Sequence, residues 1–110
     1  MVSINEELKA TEAAGAVLST NPNSDATIRV LRQAKYVAAL AMTTLPSDKL
    51  LNDARHAVVI ILSDLVKALE TDPAAQQEKI DKAKEAIRNL EWALKATLEL
   101  RLRNLAGDQL

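Results

Sequence analysis

The stretch Arg55-His56-Ala57-Val58-Val59-Ile60-Ile61-Leu62 sets the only histidine of the chain against six consecutive apolar residues, four of them β-branched. A run this short carries no periodicity of its own, so strand, all-apolar helix and amphipathic helix all start level. The residues on either side decide between them. At about 100° per residue, Leu51, Ala54, Val58, Ile61, Leu62, Leu65 and Leu69 fall on one broad face. Asn52, Asp53, His56, Ser63, Asp64 and Lys67 fall on the other. The stretch is therefore read as the middle of an amphipathic helix, with Ile60 stranded in the polar stripe and Val59 beside it.

Working outward, start and stop signals divide the rest of the chain into three more helices. Ser3 and Glu6 form an S-x-x-E capping box, and Ile4, Leu8, Thr11, Gly15 and Leu18 follow at helical spacing. In Thr20-Asn21-Pro22, Asn21 can cap a second helix with Pro22 at its first position, and Asp25 suits the positive end of the dipole. Leu45-Pro46-Ser47-Asp48 reads as a turn with Ser47 capping the third helix. Thr71-Asp72-Pro73 repeats the stop-and-start signal, and Gly107 stands near the end of the fourth helix. The predicted helices cover about 4–19, 22–44, 48–70 and 73–105.

The second helix puts Val30, Leu31, Ala34, Val37, Ala38, Ala41 and Leu45 on its core side, with Ala39 and Leu40 departing from the pattern. The fourth uses Ile80, Ala83, Ile87, Leu90, Leu94, Leu98 and Leu105. Arg101 falls on that same side near the helix end, where an unpaired charge has to reach water or a carboxylate. Short connections between such helices predict an all-α, four-helix up-down antiparallel bundle, a single domain over residues 1–110. The last helix is predicted at roughly 50 Å and the first at roughly 25 Å, an extended C-terminal helix. Leu18-Ser19-Thr20-Asn21-Pro22 and Leu69-Glu70-Thr71-Asp72-Pro73 share L-x-T-[N/D]-P. Two related helical hairpins would produce that match; so would two helix boundaries that converged on one capping chemistry.

Composition narrows the function classes. Apolar residues make up 48% and charged ones 26%, with two glycines and three prolines, which suits helices and not a disordered chain. A net charge of −1 argues against nucleic acid as the main partner. With no cysteine, thiolate catalysis and cysteine-bound zinc are excluded. Met1-Val2-Ser3-Ile4-Asn5 has neither a basic nor an apolar leader region, and no apolar run approaches the roughly 20 residues of a membrane span. A soluble, cytoplasmic protein is expected.

The candidate site lies where the fourth helix breaks its own pattern. Trp92, Ala96 and Leu100 recur at i, i+4 and i+8 close to the middle of what should be the wet face, with Ala93 at the edge. Tryptophan is the residue most enriched at the centre of binding hot spots. This stripe is expected to meet either a second copy of the chain in a homo-oligomer or a helix of a protein partner, with Ile60 and Leu40 as weaker candidates. The alternative cover is the first helix, whose Ala13, Ala14, Gly15 and Ala16 could pack over it within one chain.

Other constellations carry less. Asp53, His56 and Ser63 share one stripe, but seven residues place Ser63 about 10 Å from His56, beyond hydrogen-bond reach. No metal or cofactor is predicted. Histidine phosphotransfer domains also expose a histidine on a bundle helix, but they follow it with a lysine and a small glycine where this chain holds Val59 and Ile60. Arg29, Arg32 and Tyr36 could grip phosphates and stack a base, although Asp25 pairs with Arg29 at i, i+4 and favours a solvated face. The core sides hold Thr11, Thr97 and little else polar. The leading expectation is a non-enzymatic interaction module. A ligand-binding or catalytic bundle, natural or engineered, with Glu91 or Arg101 as polar handle is the alternative.

Overall fold

The computed structural model describes residues 2–45, 48–72 and 76–107, with side chains as far as Leu100 and at Leu102. Pro46, Ser47, Pro73 and the side chains of Arg101 and Leu105, which figure in the sequence reading, lie outside the described residues. The protein is all-α. Its four helices are α1 (Ile4–Thr20), α2 (Asp25–Thr44), α3 (Lys49–Thr71) and α4 (Gln77–Gly107), and no strand occurs among the described residues.

Each of the first three helices starts on a side chain that accepts an otherwise orphaned backbone N–H. Ser3 Oγ accepts from the Glu6 N–H at 3.1 Å, and its hydroxyl donates to Glu6 Oε1 at 3.3 Å, so the Glu6 carboxylate meets the capping side chain and not the Ser3 backbone N–H of a full capping box. For α2 the cap is Ser24, three residues later than the sequence predicts, with Oγ accepting from the Thr27 N–H at 3.1 Å. Asn21 is occupied with ending α1: its N–H donates to the Val17 carbonyl at 2.8 Å, and its own carbonyl accepts from the Thr27 hydroxyl. For α3 the cap is Asp48 and not Ser47, its carboxylate accepting from the Leu51 N–H at 2.8 Å.

The shared L-x-T-[N/D]-P pattern proves to be a helix stop. Thr20 and Thr71 each donate their hydroxyl to the carbonyl four residues back, at 2.9 Å in both cases. Asn21 and Asp72 then donate their N–H groups to Val17 and Ala68, at 2.8 Å in both cases. The same device closes α2, where Thr44 donates its hydroxyl to Leu40 at 2.8 Å and Leu45 its N–H to Ala41 at 3.0 Å, so the shared pattern is capping chemistry common to three helix ends and not a mark of related hairpins.

The helices touch in a ring: α1 with α2, α2 with α3, α3 with α4, and α4 with α1. Neither α1 and α3 nor α2 and α4 are neighbours. Leu18, Leu31, Leu62, Leu65, Ile87, Leu90 and Leu94 are fully buried at the centre, each stabilising the fold by roughly 1.5–3 kcal/mol relative to exposure. Ala14, Ala34, Ala38 and Ala83 are buried between them and let the axes come close.

Two positions overturn the expected core. On α1 the buried stripe is Ile4, Glu7, Thr11, Ala14 and Leu18; Leu8 and Gly15, expected inward, are only half-buried. On α3 it is Leu51, Arg55, Val58, Leu62, Leu65 and Leu69, so the arginine that opens the diagnostic stretch points straight into the core. The core is therefore not confined to Thr11 and Thr97 as polar residues: Thr97 is half-buried, while Glu7, Arg55 and Thr27 are buried.

Glu7 and Arg55 bridge the diagonal of the ring. Arg55 Nε donates to Glu7 Oε2 at 2.8 Å and Nη2 to Oε1 at 2.7 Å, a bidentate fork with both side chains 0% exposed. Arg55 Nη1 is also buried and has no hydrogen-bond partner. Removing one member leaves the other as an uncompensated buried charge, so Glu7→Leu or Arg55→Met alone should destabilise the fold by about 3–5 kcal/mol. The double variant should recover most of that loss, because an apolar pair replaces a desolvated one. Urea unfolding of the three variants checks this; equal, additive losses would show that the pair does not act as a unit. Ser24→Ala should lower stability by about 1 kcal/mol through loss of the α2 cap.

Candidate interaction surface

The outward face of the molecule along α3 and α4 is where apolar residues fail to find cover. Once Leu51, Arg55, Val58 and Leu62 turn inward, geometry turns the neighbouring stripe Leu50, Ala54, Ala57 and Ile61 towards the seam with α4. On α4, Leu90 and Leu94 are buried, which leaves Trp92, Ala96 and Leu100 on the outside. Trp92 is 65% exposed and Leu100 58%, and Leu50 beside them is 61% exposed.

Two hollows lie along this seam. One, of about 400 Å³, has Ala54, Ala57 and Ala86 as its small residues, with Leu50, Asn89 and Trp92 around them. The other continues past Leu50 and Trp92 to Ala96, Thr97 and Leu100. Further along the same seam, Ile60 and Ile61 line a third hollow together with Asp64, Lys79 and Lys82. Lys79 Nζ donates to Asp64 at 2.7 Å, which fixes the level of one helix against the other there and holds the Asp64 carboxyl below the usual carboxylate range.

Of the sequence-derived candidates, Trp92, Ala96 and Leu100 come together on this α3–α4 seam, and Ile60 lies on it further along, in a separate hollow. Leu40 does not join them. It is half-buried on α2, which makes no contact with α4. Leu50 was missed because the broad α3 face merges an inward stripe with one that points to the seam; the spacing of Leu50, Ala54, Ala57 and Ile61 carried that signal. Leu102, 67% exposed, lies about 200° around α4 from Leu100 and does not continue this stripe.

The alternative cover, by α1 within the chain, is not found: Trp92 is exposed. Gly15 lies against the other flank of α4, where an added Cβ would stand 3.3 Å from both Ile87 Cγ2 and Glu91 Oε1, while Ala14 is in the core and Ala13 and Ala16 are exposed. Arg29, Arg32 and Tyr36 are exposed on α2, and Arg32 is held in an ion pair with Glu70 of α3. His56 is exposed. No group of three or more metal-ligating side chains gathers among the described residues, and no described helix is long and apolar enough to cross a membrane. Compared with protein-family models, curated proteins and solved structures, the chain matches none.

A more polar groove of about 510 Å³ runs between α1 and α4, with Gly15 and Ser19 facing Asp81, Lys84, Arg88 and Glu91. Partial burial raises the Glu91 carboxyl above its ordinary range, against the opposing pull of Lys95 and with a small push from Glu12. The folded chain thus holds this proton more tightly than the unfolded chain does. Its contribution to stability is fully present below the unfolded carboxyl range and is lost as pH rises through the folded value. Glu91→Gln should therefore raise the melting temperature at neutral pH, and the gain should vanish as pH falls below about 4. Paired melting curves at pH 7 and pH 4 test it; a gain that persists unchanged at acid pH would contradict burial as the cause.

Proposed function

We propose that the protein is a non-enzymatic interaction module that docks an apolar partner surface along the α3–α4 seam, with Trp92 as the central contact. The observation that carries this is Trp92 standing 65% exposed among Leu50, Ala96 and Leu100. Isolated apolar residues on a surface need no explanation, but a contiguous patch with a tryptophan at its centre has the anatomy of a hot spot. An up-down antiparallel order of the helices accompanies the reading. It is supported by Lys79 near the start of α4 pairing with Asp64 late in α3, and by Arg32 early in α2 pairing with Glu70 at the end of α3.

If the seam exists for docking, its residues contribute little to the fold. Trp92→Lys and Leu100→Lys should leave the melting temperature within about a degree of wild type, whereas Leu94→Ala should cost about 2–5 kcal/mol. A photo-crosslinking side chain at position 92 should trap a discrete heavier adduct in the cells that make the protein, and one at the exposed Lys9 of α1 should not. No adduct at position 92 would overturn the proposal.

A further inference from the structure

We infer that the occupant of the α3–α4 seam is a second copy of the same chain, paired antiparallel about a two-fold axis at Asn89. This rests on the docking role proposed for the seam and adds the identity and register of the partner.

An isologous pair requires one surface to carry both halves of every contact. The seam does so. Trp92 projects from it, and within the same hollow Ala57 and Ala86 form a floor of small side chains. Trp92 stands three residues to one side of Asn89 on α4, and Ala86 three residues to the other. A two-fold axis at Asn89 therefore lays the indole of each copy over Ala86 and Ala57 of the other. The same rotation brings Ala96, seven residues above the axis, opposite Lys82, seven below it, where Ile60 and Ile61 line the seam.

The polar residues obey the same symmetry. Asn89 is exposed in the middle of the hollow, and its amide has no partner among the described residues. A primary amide is its own complement, the carbonyl of one copy accepting from the NH₂ of the other, and a central asparagine of this kind fixes register at some expense of affinity. Both lysines at the Ile60 end are already paired, Lys79 with Asp64 at 2.7 Å and Lys82 with Glu78 at 3.7 Å, so the fit of Trp92 over Ala86 and Ala57 and the central Asn89 set the register, and charge does not. From Lys82 to Leu100 the seam runs roughly 27 Å at about 1.5 Å per residue, and it is two helices wide. That is the size class of a modest, reversible interface.

The chain contains no cysteine, so single introduced cysteines report the register directly. Sedimentation of the purified full chain should show its mass doubling with concentration, and Trp92→Glu should weaken this at least tenfold without lowering the melting temperature measured at dilutions where both chains are single-copy. On oxidation Asn89→Cys should link to itself. Ala96→Cys should not, since two such positions lie roughly 20 Å apart at about 1.5 Å per residue, but it should link when mixed with Lys82→Cys. A single-copy mass at every concentration overturns the inference, as does crosslinking at all three positions no different from an outer control such as Lys9→Cys on α1. The photo-adduct at position 92 separates the two failures: a single-copy chain that still traps another protein loses the second copy and keeps the docking role, and a single-copy chain that traps nothing loses both.

Discussion

The buried ion pair between Glu7 and Arg55 is the constraint around which the other helices are arranged. α1 and α3 are not neighbours in the ring, yet this fork joins them through the middle of the core. A hydrophobic contact tolerates sliding by a turn, whereas a bidentate fork of two charges at 0% exposure does not. Sliding α1 or α3 along its axis would strand a full charge in an apolar interior, at a loss of several kcal/mol. The leucines and alanines around the pair supply most of the driving force. The pair supplies the position.

That position has an outward consequence. With Arg55 directed at Glu7, α3 is rotated so that Leu51, Val58 and Leu62 face the core, and its second apolar stripe is left at the seam with α4. α4 is fixed in turn by Leu90 and Leu94 on the inside, so Trp92 has only the outside available. The exposed patch is thus a product of how the core is keyed, and no local irregularity of α4 is needed to produce it.

Much of this was legible in the sequence, and the failures have one cause. Helix number, the inward leucines of α3 and α4 and the outward turn of Trp92 and Leu100 all follow from periodicity, since each helix repeats its pattern over several turns. Glu7 and Arg55 were not found, because a hydrophobicity rule assigns a lone charge to water and moves the stripe one residue aside, to Leu8 on α1 and to Ala54 on α3. Their spacing with Ile4 and Thr11, and with Leu51 and Val58, was visible; what single-residue reasoning lacks is the partner 48 positions away in sequence. The capping errors at Asn21 and Ser47 are of another kind. Several residues in each turn can cap, and the choice depends on how many residues the preceding helix needs to close.

The placement of the aromatic residues also governs what can be seen of this protein in solution. Its one tryptophan and one tyrosine both lie on the surface, and it has no phenylalanine. The core is built of aliphatic side chains that neither absorb nor emit in the near ultraviolet. In a single chain with the seam uncovered, intrinsic fluorescence should therefore change little as the helices melt, leaving far-ultraviolet dichroism as the optical record of folding. The indole is instead a built-in reporter of the seam, spectrally quiet until something covers it.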